Sequence, residues 1–545
     1  MPSDRPASPA GAPKLEAAAA ALLLALAATQ FAFVRPTNFG GTDEWLSFSL
    51  LSRGIVSFPY ANRPLNLAWA LPGWSLLPDR LEGFLAFHAL WIGLGGVLVF
   101  LVIRRLLPGS GSLAFLAGAL AIVWAPTDGA RLCPVHMIVY SGCTFGVLLA
   151  LWLTLEAWSR HAPLLAAGGL AAAGVAVLSI ETALAPLALL PVLLLLGGGA
   201  REPRRLAAWT LGVVLLLAAA GLRIAVPILR NPDRATYQAG LAEGLRPEQL
   251  VARSLDQLRR HVAPLARLPE IGRPWPAVPI ASAVFAAGFA LVVRGARARG
   301  EGQGPSRRQL LVVASVGCLW ALASYLPLAA TTRRAFRTQF LSAPGVAALL
   351  AAGVLMAASV LPRRARGVAA GLLGAGIVAL GVGHAAALQA RWDEVSAYPG
   401  QRRALLELTA LAPDLAPGTL VVLLQQRGAW ALDLAFRHAV LYLYEGRASG
   451  HVAEADPLLY ETRFEAAGIR SVPQPALQGP WREPPALRAY DSVVAVREDE
   501  AGRLRLLETW PDDLPPLPAG ARYAPRSRLR EGPPPRRLSI LHGAS

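Results

Sequence analysis

The feature that most limits what this chain can become is a series of apolar blocks, each about 17 to 25 residues long, the length a helix needs to cross about 30 Å of hydrocarbon. The blocks predict about eleven transmembrane helices, at roughly 15–35, 82–103, 109–126, 135–157, 162–180, 182–198, 206–229, 276–294, 309–329, 340–361 and 367–389. Composition agrees. Of 545 residues, 54% are hydrophobic and only 16% charged, too few charges to cover a soluble surface of that size. The first block has a long polar N-terminal flank and is followed by further spans, so it reads as an uncleaved helix and not a signal peptide.

A net charge of +17 with a pI near 10.9 invites a nucleic-acid reading, but the placement of the basic residues argues against it. They are almost all arginine, with Lys14 as the one lysine, and most lie in short clusters between apolar blocks. With the N-terminus inside, the cytoplasmic connections carry Arg104 and Arg105, Arg160, Arg201 with Arg204 and Arg205, Arg294 to Arg308, and Arg363 with Arg364 and Arg366, as the positive-inside bias requires. An odd number of spans then places the C-terminus outside. The expectation is a multi-pass protein of a bacterial-type inner membrane that has the lipid bilayer as a partner and binds no nucleic acid. Three cysteines, Cys133, Cys143 and Cys318, cannot make a disulfide framework and read as small buried hydrophobes.

The chain divides by character into a cytoplasmic tail at 1–14, a transmembrane domain at 15–389 and a C-terminal extracytoplasmic domain at 390–545. Two external loops are long, about 36–81 and about 230–275. Within the second, Leu250, Ser254, Leu258 and Val262 share one helical face, with Arg253, Asp256, Arg259 and Arg260 on the other, the pattern of a helix lying in the membrane interface. Beyond residue 390, Leu405 to Leu411 reads as an amphipathic helix and TLVVLL at Thr419 to Leu424 as a buried strand. DSVVAV at Asp491 to Val496 reads as a second strand, turning at Asp499-Glu500-Ala501-Gly502 into Leu504 to Leu507 as a hairpin. Proline-rich stretches at 473–485 and 511–535 interrupt the pattern. A small α/β or α+β domain with a Pro-rich tail is expected.

Chemistry concentrates in the first external loop, which carries Asn38-Phe-Gly-Gly-Thr-Asp43-Glu44-Trp45 and then Tyr60-Ala-Asn-Arg63-Pro64-Leu65. Adjacent carboxylates point about 100° apart on a helix and to opposite faces of a strand, so they cannot serve one atom equivalently. One acts as base or metal ligand while the other orients a partner. A carboxylate near a low-dielectric surface has its pKa raised towards the working range, which suits it to take a proton from a hydroxyl. The competing interpretation is a helix N-terminus, Thr42-Asp43-Glu44, with acids on the favourable end of the dipole.

An Asp-Glu pair just after the first helix, followed by an aromatic-x-x-Arg-Pro-Leu segment, resembles the GT-C glycosyltransferases. The pattern is that of protein O-mannosyltransferases, aminoarabinose transferases and their bacterial relatives. Phe84-Leu-Ala-Phe-His88-Ala-Leu at the start of the second span resembles the aromatic-His pattern of the same group. The resemblance spans about residues 15–105 and continues as topology to 390. It implies a GT-C-like helical body and a polyprenyl-phosphate sugar as donor. It also implies a first-loop acid that activates the acceptor, a role that falls on Asp43 and then Glu44. The acceptor is an undefined glycan, lipid or protein, and a divalent cation such as Mg or Mn on Asp43 is left open.

A second signal comes from Thr331-Thr332-Arg333-Arg334-Ala-Phe-Arg337, in a loop that the topology places outside. On a helix Arg333 and Arg334 each share a face with Arg337. External guanidiniums at a membrane boundary call for anionic company, either a lipid phosphate held in bidentate fashion or headgroups reached by snorkelling. Arg63, behind Tyr60, is a candidate for holding donor or acceptor. Asp128, Arg131 and His136 between spans three and four, with Glu181 in its tight turn, line a cavity facing Asp43 as a group; singly each reads as structural. His88 reads as a core histidine or a substrate contact. Other classes stay open: a polysaccharide ligase or polymerase, a non-catalytic scaffold, and a transporter or flippase, although the polar residues gather at the outer face and no symmetry between halves is visible.

Overall fold

The computed structural model describes residues 12–57, 63–197, 202–230, 247–270, 275–299, 304–329, 339–426, 428–457, 459–473 and 486–542. Tyr60, Arg333, Arg334 and Arg337 therefore lie outside the described residues. In chain order the helices are α1 (Ala12–Phe31), α2 (Glu44–Leu51), α3 (Leu71–Leu76), α4 (Leu81–Leu106), α5 (Gly111–Val123) and α6 (Pro134–Arg160). Then come α7 (Pro163–Ser179), α8 (Leu184–Leu187), α9 (Leu190–Leu196), α10 (Pro203–Arg230), α11 (Pro247–Val262) and α12 (Ala277–Ala298). The last are α13 (Arg307–Ala329), α14 (Gln339–Ala358), α15 (Arg363–Val395), α16 (Tyr398–Leu411), α17 (Asp433–Leu443) and α18 (Ser539–His542).

This is a polytopic helical membrane protein with a sheet-bearing C-terminal region. Among the described residues, 8 helical segments are long and apolar enough to cross a membrane, and three shorter apolar helices, Gly111–Val123, Pro163–Ser179 and Glu181–Leu196, coincide with the remaining expected blocks. The last of these is broken into a 3₁₀ turn, Glu181–Ala183, and then α8 and α9, the latter with Pro191 in its first turn, where proline suits a helix start.

Two compact units are present. The first comprises Met1–Val34, His88–Leu132 and Tyr140–Arg391. In it α13 and α14 form a tightly packed pair, α14 and α12 pack on α5, and α1 lies against α12. Glycines set the α13–α14 approach: a Cβ on Gly317 would stand 2.5 Å from the Gly345 carbonyl oxygen, and one on Gly345 equally close to that of Gly317. Lipid tails exclude nothing that helices do not, so close packing through small residues supplies much of the association. The basic helix ends expected from the sequence gather here. Arg104 at the end of α4 pairs with Glu16 at the start of α1 (2.9 Å), while Arg105 and Arg160 both reach Glu156 near the end of α6 (3.3 and 2.7 Å).

The second unit comprises Arg35–Phe87, Cys133–Val139 and Trp392–Ser545. Its strands are β1 (Asp414–Leu415), β2 (Thr419–Leu424), β3 (Ala448–Val452), β4 (Tyr460–Glu465), β5 (Gly468–Pro473), β6 (Ala486–Arg488), β7 (Val493–Glu498), β8 (Leu504–Leu506) and β9 (Leu529–Arg530). One sheet has the order β3-β2-β7-β8, with β2 parallel to both β3 and β7, while β8 returns antiparallel to β7. Every residue of β2 is buried, as a central parallel strand covered on both faces must be. The expected hairpin forms: Asp499 Oδ1 accepts the backbone N–H groups of Ala501 and Arg503 (2.9 Å each), and Gly502 turns at φ 79°. A separate antiparallel sheet, β4-β5-β6, completes the α/β core, and α17 joins β2 to β3 as a crossover.

Candidate functional site

The site grows from the loop Thr37–Glu44, which is stitched to the chain around Ser396. Ser396 donates its hydroxyl to Thr37 O (2.6 Å) and accepts Phe39 N–H (3.1 Å), and Ala397 N–H donates to Phe39 O (3.2 Å). Gly41 sits at φ 79°, where a side chain strains the backbone, and its Cβ would meet that of Ala397 at 3.0 Å. The loop then enters α2, EWLSFSLL, all eight residues of which are buried. A helix apolar nearly all round must be covered on every side. Trp45 and Phe48 meet Phe39, Trp74, Phe84 and Tyr442 in an aromatic cluster, and Trp45 Nε1–H donates to Gln401 Oε1 (2.8 Å).

The two acids that begin this helix have different surroundings. Glu44 is wholly buried. Its carboxylate folds back on the loop, Oε1 accepting Gly40 N–H (2.6 Å) and Oε2 accepting Thr42 N–H (3.0 Å). Burial raises its pKa above 4.5, against the pull of those backbone donors, and the neighbouring Asp43 charge pushes the same way. Cys133 donates its S–H to Glu44 Oε1 (3.4 Å); burial, then the Glu44 charge, pushes that thiol well above its usual range, so it stays protonated. Glu44 thus holds the loop's shape.

Asp43 occupies the N-cap position at φ −96° and ψ −3° but makes no capping hydrogen bond with its side chain. That side chain keeps 27% exposure and sits beside His136 in the first turn of α6, with Oδ2 to Nε2 at 3.5 Å. The other ring nitrogen, Nδ1, lies 3.3 Å from Thr42 Oγ1 and 3.8 Å from Glu44 Oε1. Thr42, Asp43, Glu44, Cys133 and His136 therefore form one cluster. His136 is among the external polar residues that the sequence groups towards Asp43, whereas Cys133 reads there only as a small buried hydrophobe, since nothing local relates the loop to the start of α6. Among the described residues no group of three or more His, Cys, Asp or Glu side chains is arranged to hold a metal ion.

The remaining sequence candidates within the described residues make contacts of their own. Arg63 is half-buried just before the 3₁₀ turn Asn66–Ala70, in the second unit, where its carbonyl accepts Asn66 N–H (3.3 Å). His88, Asp128, Arg131 and Glu181 belong to the first unit. His88 is buried between the rings of Phe31 and Phe340 with both ring nitrogens engaged. A carbonyl only accepts, so Nε2–H donates to Arg131 O (2.8 Å), which leaves Nδ1 of the neutral ring to accept from Ser141 (2.9 Å). Arg131 aims Nη2 at Ala121 O (3.0 Å) and Ile122 O (2.6 Å), closing the C-terminal end of α5 with a charge of the favourable sign. Burial lowers its pKa to about 10, with the Asp128 charge opposing that shift, so it stays protonated at neutral pH. Glu181 opens the 3₁₀ turn after α7 and is half-buried.

No family model matches the sequence, and no curated protein matches it. Among solved structures, the chain is similar to ArnT from Cupriavidus metallidurans bound to undecaprenyl phosphate, at 18% identity over 82% of this chain and 87% of that one, with a TM-score of 0.40. It is also similar to the apo state of the same ArnT, at 18% identity over 80% of this chain and 86% of that one, with a TM-score of 0.39.

Proposed function

We propose that this chain is a membrane glycosyltransferase of the GT-C type that moves a sugar from a polyprenyl-phosphate donor to an acceptor on the outer face of the inner membrane. The N-terminus is cytoplasmic and the C-terminal domain extracytoplasmic. Asp43 takes the proton from an acceptor hydroxyl as that oxygen attacks the anomeric carbon. The bond from this carbon to the phosphate oxygen breaks, and its electron pair leaves on the lipid phosphate. Arg333, Arg334 and Arg337 hold the departing phosphate and offset its charge. Tyr60 and Arg63 position the sugar or acceptor, His136 orients the Asp43 carboxylate, and Glu44 keeps the loop in its working shape.

One observation carries the reading. In the loop after the first span, one carboxylate stays accessible next to an imidazole while its neighbour is consumed by backbone donors. This is the division of labour that proton abstraction by a single acid needs. Membranes carrying the full chain, supplied with a panel of polyprenyl-phosphate sugars, test it. Asp43→Asn lowers transfer by about a hundredfold or more while thermal stability is kept. Full transfer by that variant removes Asp43 from the mechanism.

A further inference from the structure

Helix ends of the first unit enclose a second polar site. A cavity of about 490 Å³ opens where the end of α12, the start of α13, the end of α14 and the start of α15 come together. Arg297, Arg307, Arg363 and Arg366 line it, and Phe289 and Leu355 form part of an apolar wall. Arg297 reaches across to α15: a Cβ on Gly367 would stand 3.6 Å from Arg297 Nη2, one residue from Arg366. None of the four guanidiniums pairs with a carboxylate among the described residues, whereas Arg104, Arg105 and Arg160 in the same unit all do.

Two of these arginines stand against the local helix field. Arg307 and Arg363 are the first residues of α13 and α15, where the macrodipole is already positive. At the α13 start Ser306 and Gln309 each accept the other's backbone N–H, and a guanidinium, which only donates, has no capping role there. All four guanidiniums are exposed, Arg366 donates Nε–H to Leu361 O (2.9 Å), and two helix starts and two helix ends meet at the cavity; water screens the repulsion among the four like charges, and an anion entering the cavity relieves it further. Guanidinium recognises phosphate through paired N–H donors, and basic pockets between helices at a membrane boundary suit anionic headgroups with an apolar wall for the chains.

We propose that this cavity, lined by none of the residues of the Asp43 cluster, is a binding site for a phosphate-bearing anion. The anion is either the headgroup of an anionic phospholipid or free phosphate. The test uses the full-length protein in zwitterionic nanodiscs and measures binding of dioctanoyl phosphatidylglycerol, dioctanoyl phosphatidylcholine and inorganic phosphate. Two triple variants remove equal charge: R297Q/R307Q/R363Q inside the cavity, and R294Q/R308Q/R364Q on neighbouring arginines that do not line it. The cavity triple loses about tenfold or more in affinity for the anionic probe, and the neighbouring triple changes by less than about threefold. Gly367→Phe, which fills the space beside Arg297 without altering charge, lowers affinity as well and covers the case in which the cavity triple does not fold. Selective binding of the phosphatidylglycerol identifies a headgroup, and equal binding of inorganic phosphate identifies the free anion. Equal losses in the two triples, or no preference for either anion over phosphatidylcholine, overturns the site.

Discussion

His136 Nε2 stands 3.5 Å from Asp43 Oδ2, and its other ring nitrogen lies 3.8 Å from Glu44 Oε1, so one imidazole bridges two carboxylates with different tasks. Asp43 keeps 27% exposure, and the buried Glu44 is consumed by the N–H groups of Gly40 and Thr42.

If His136 orients Asp43, the two act as one unit. His136→Ala lowers transfer by about tenfold, and the double variant with Asp43→Asn is no slower than Asp43→Asn alone, because groups acting together are strongly non-additive. Additive losses in single-turnover rates separate the roles.

The Glu44 carboxyl has its pKa raised in the folded chain, so the folded state holds its proton more tightly than the unfolded one. The sign follows from linkage: its contribution to stability is greatest at and below the ordinary carboxyl range near 4.5 and declines as pH rises through the higher folded value. Glu44→Gln removes that slope. It also turns an amide N–H₂ towards a backbone donor, at a cost of about 1–3 kcal/mol. Thermal unfolding of both proteins across pH checks this, and a pH-independent difference between them contradicts it.

Arg131→Met leaves Ala121 O and Ile122 O at the end of α5 without their donor and Asp128 without the Arg131 charge. A loss of about 3–5 kcal/mol in stability is expected, as for breaking a buried charged network. Arg160→Met, which removes an exposed guanidinium paired with Glu156, costs less than about 1 kcal/mol. Comparable melting shifts in the two variants would show that Arg131 is not buried in this way.

Gly317→Val drives a Cβ into the Gly345 carbonyl at a 2.5 Å approach and separates α13 from α14. Overpacking of this kind costs about 1–3 kcal/mol. Gly353, also in α14, has nothing within 4 Å of a built Cβ, and its substitution by alanine leaves the melting temperature within about a degree or two.

Gly41→Val strains a left-handed backbone by about 1–2 kcal/mol and presses on Ala397. The loop carrying Asp43 shifts, so transfer falls further than the modest loss of stability accounts for. Activity and melting temperature measured on the same preparation separate the two effects.

Hydropathy alone was enough for the membrane body. Among the described residues, eight expected spans coincide with helices long and apolar enough to cross a membrane and the other three with shorter apolar helical stretches, because a bilayer leaves a chain little choice but to satisfy its backbone within helices. The alternating and continuous apolar runs after residue 390 marked β2, β7 and the Asp499 turn nearly to the residue, since their signals are local. The amphipathic stretch at 250–262 likewise became α11. Spacing also showed that Asp43 and Glu44 cannot be equivalent, but not which of them is buried. Only the tertiary structure decided that: the loop doubles back so that Gly40 and Thr42 point their N–H groups at Glu44, and the start of α6 brings Cys133 and His136 to the pair. It also joined residues 35–87 with the chain beyond 392 in one unit, and it gathered Arg297, Arg307, Arg363 and Arg366, spread over two basic connections, around one cavity. Periodicity and composition record what a residue needs from its nearest neighbours and its solvent. They carry no information about which distant segment meets that need, because such pairings are settled by packing.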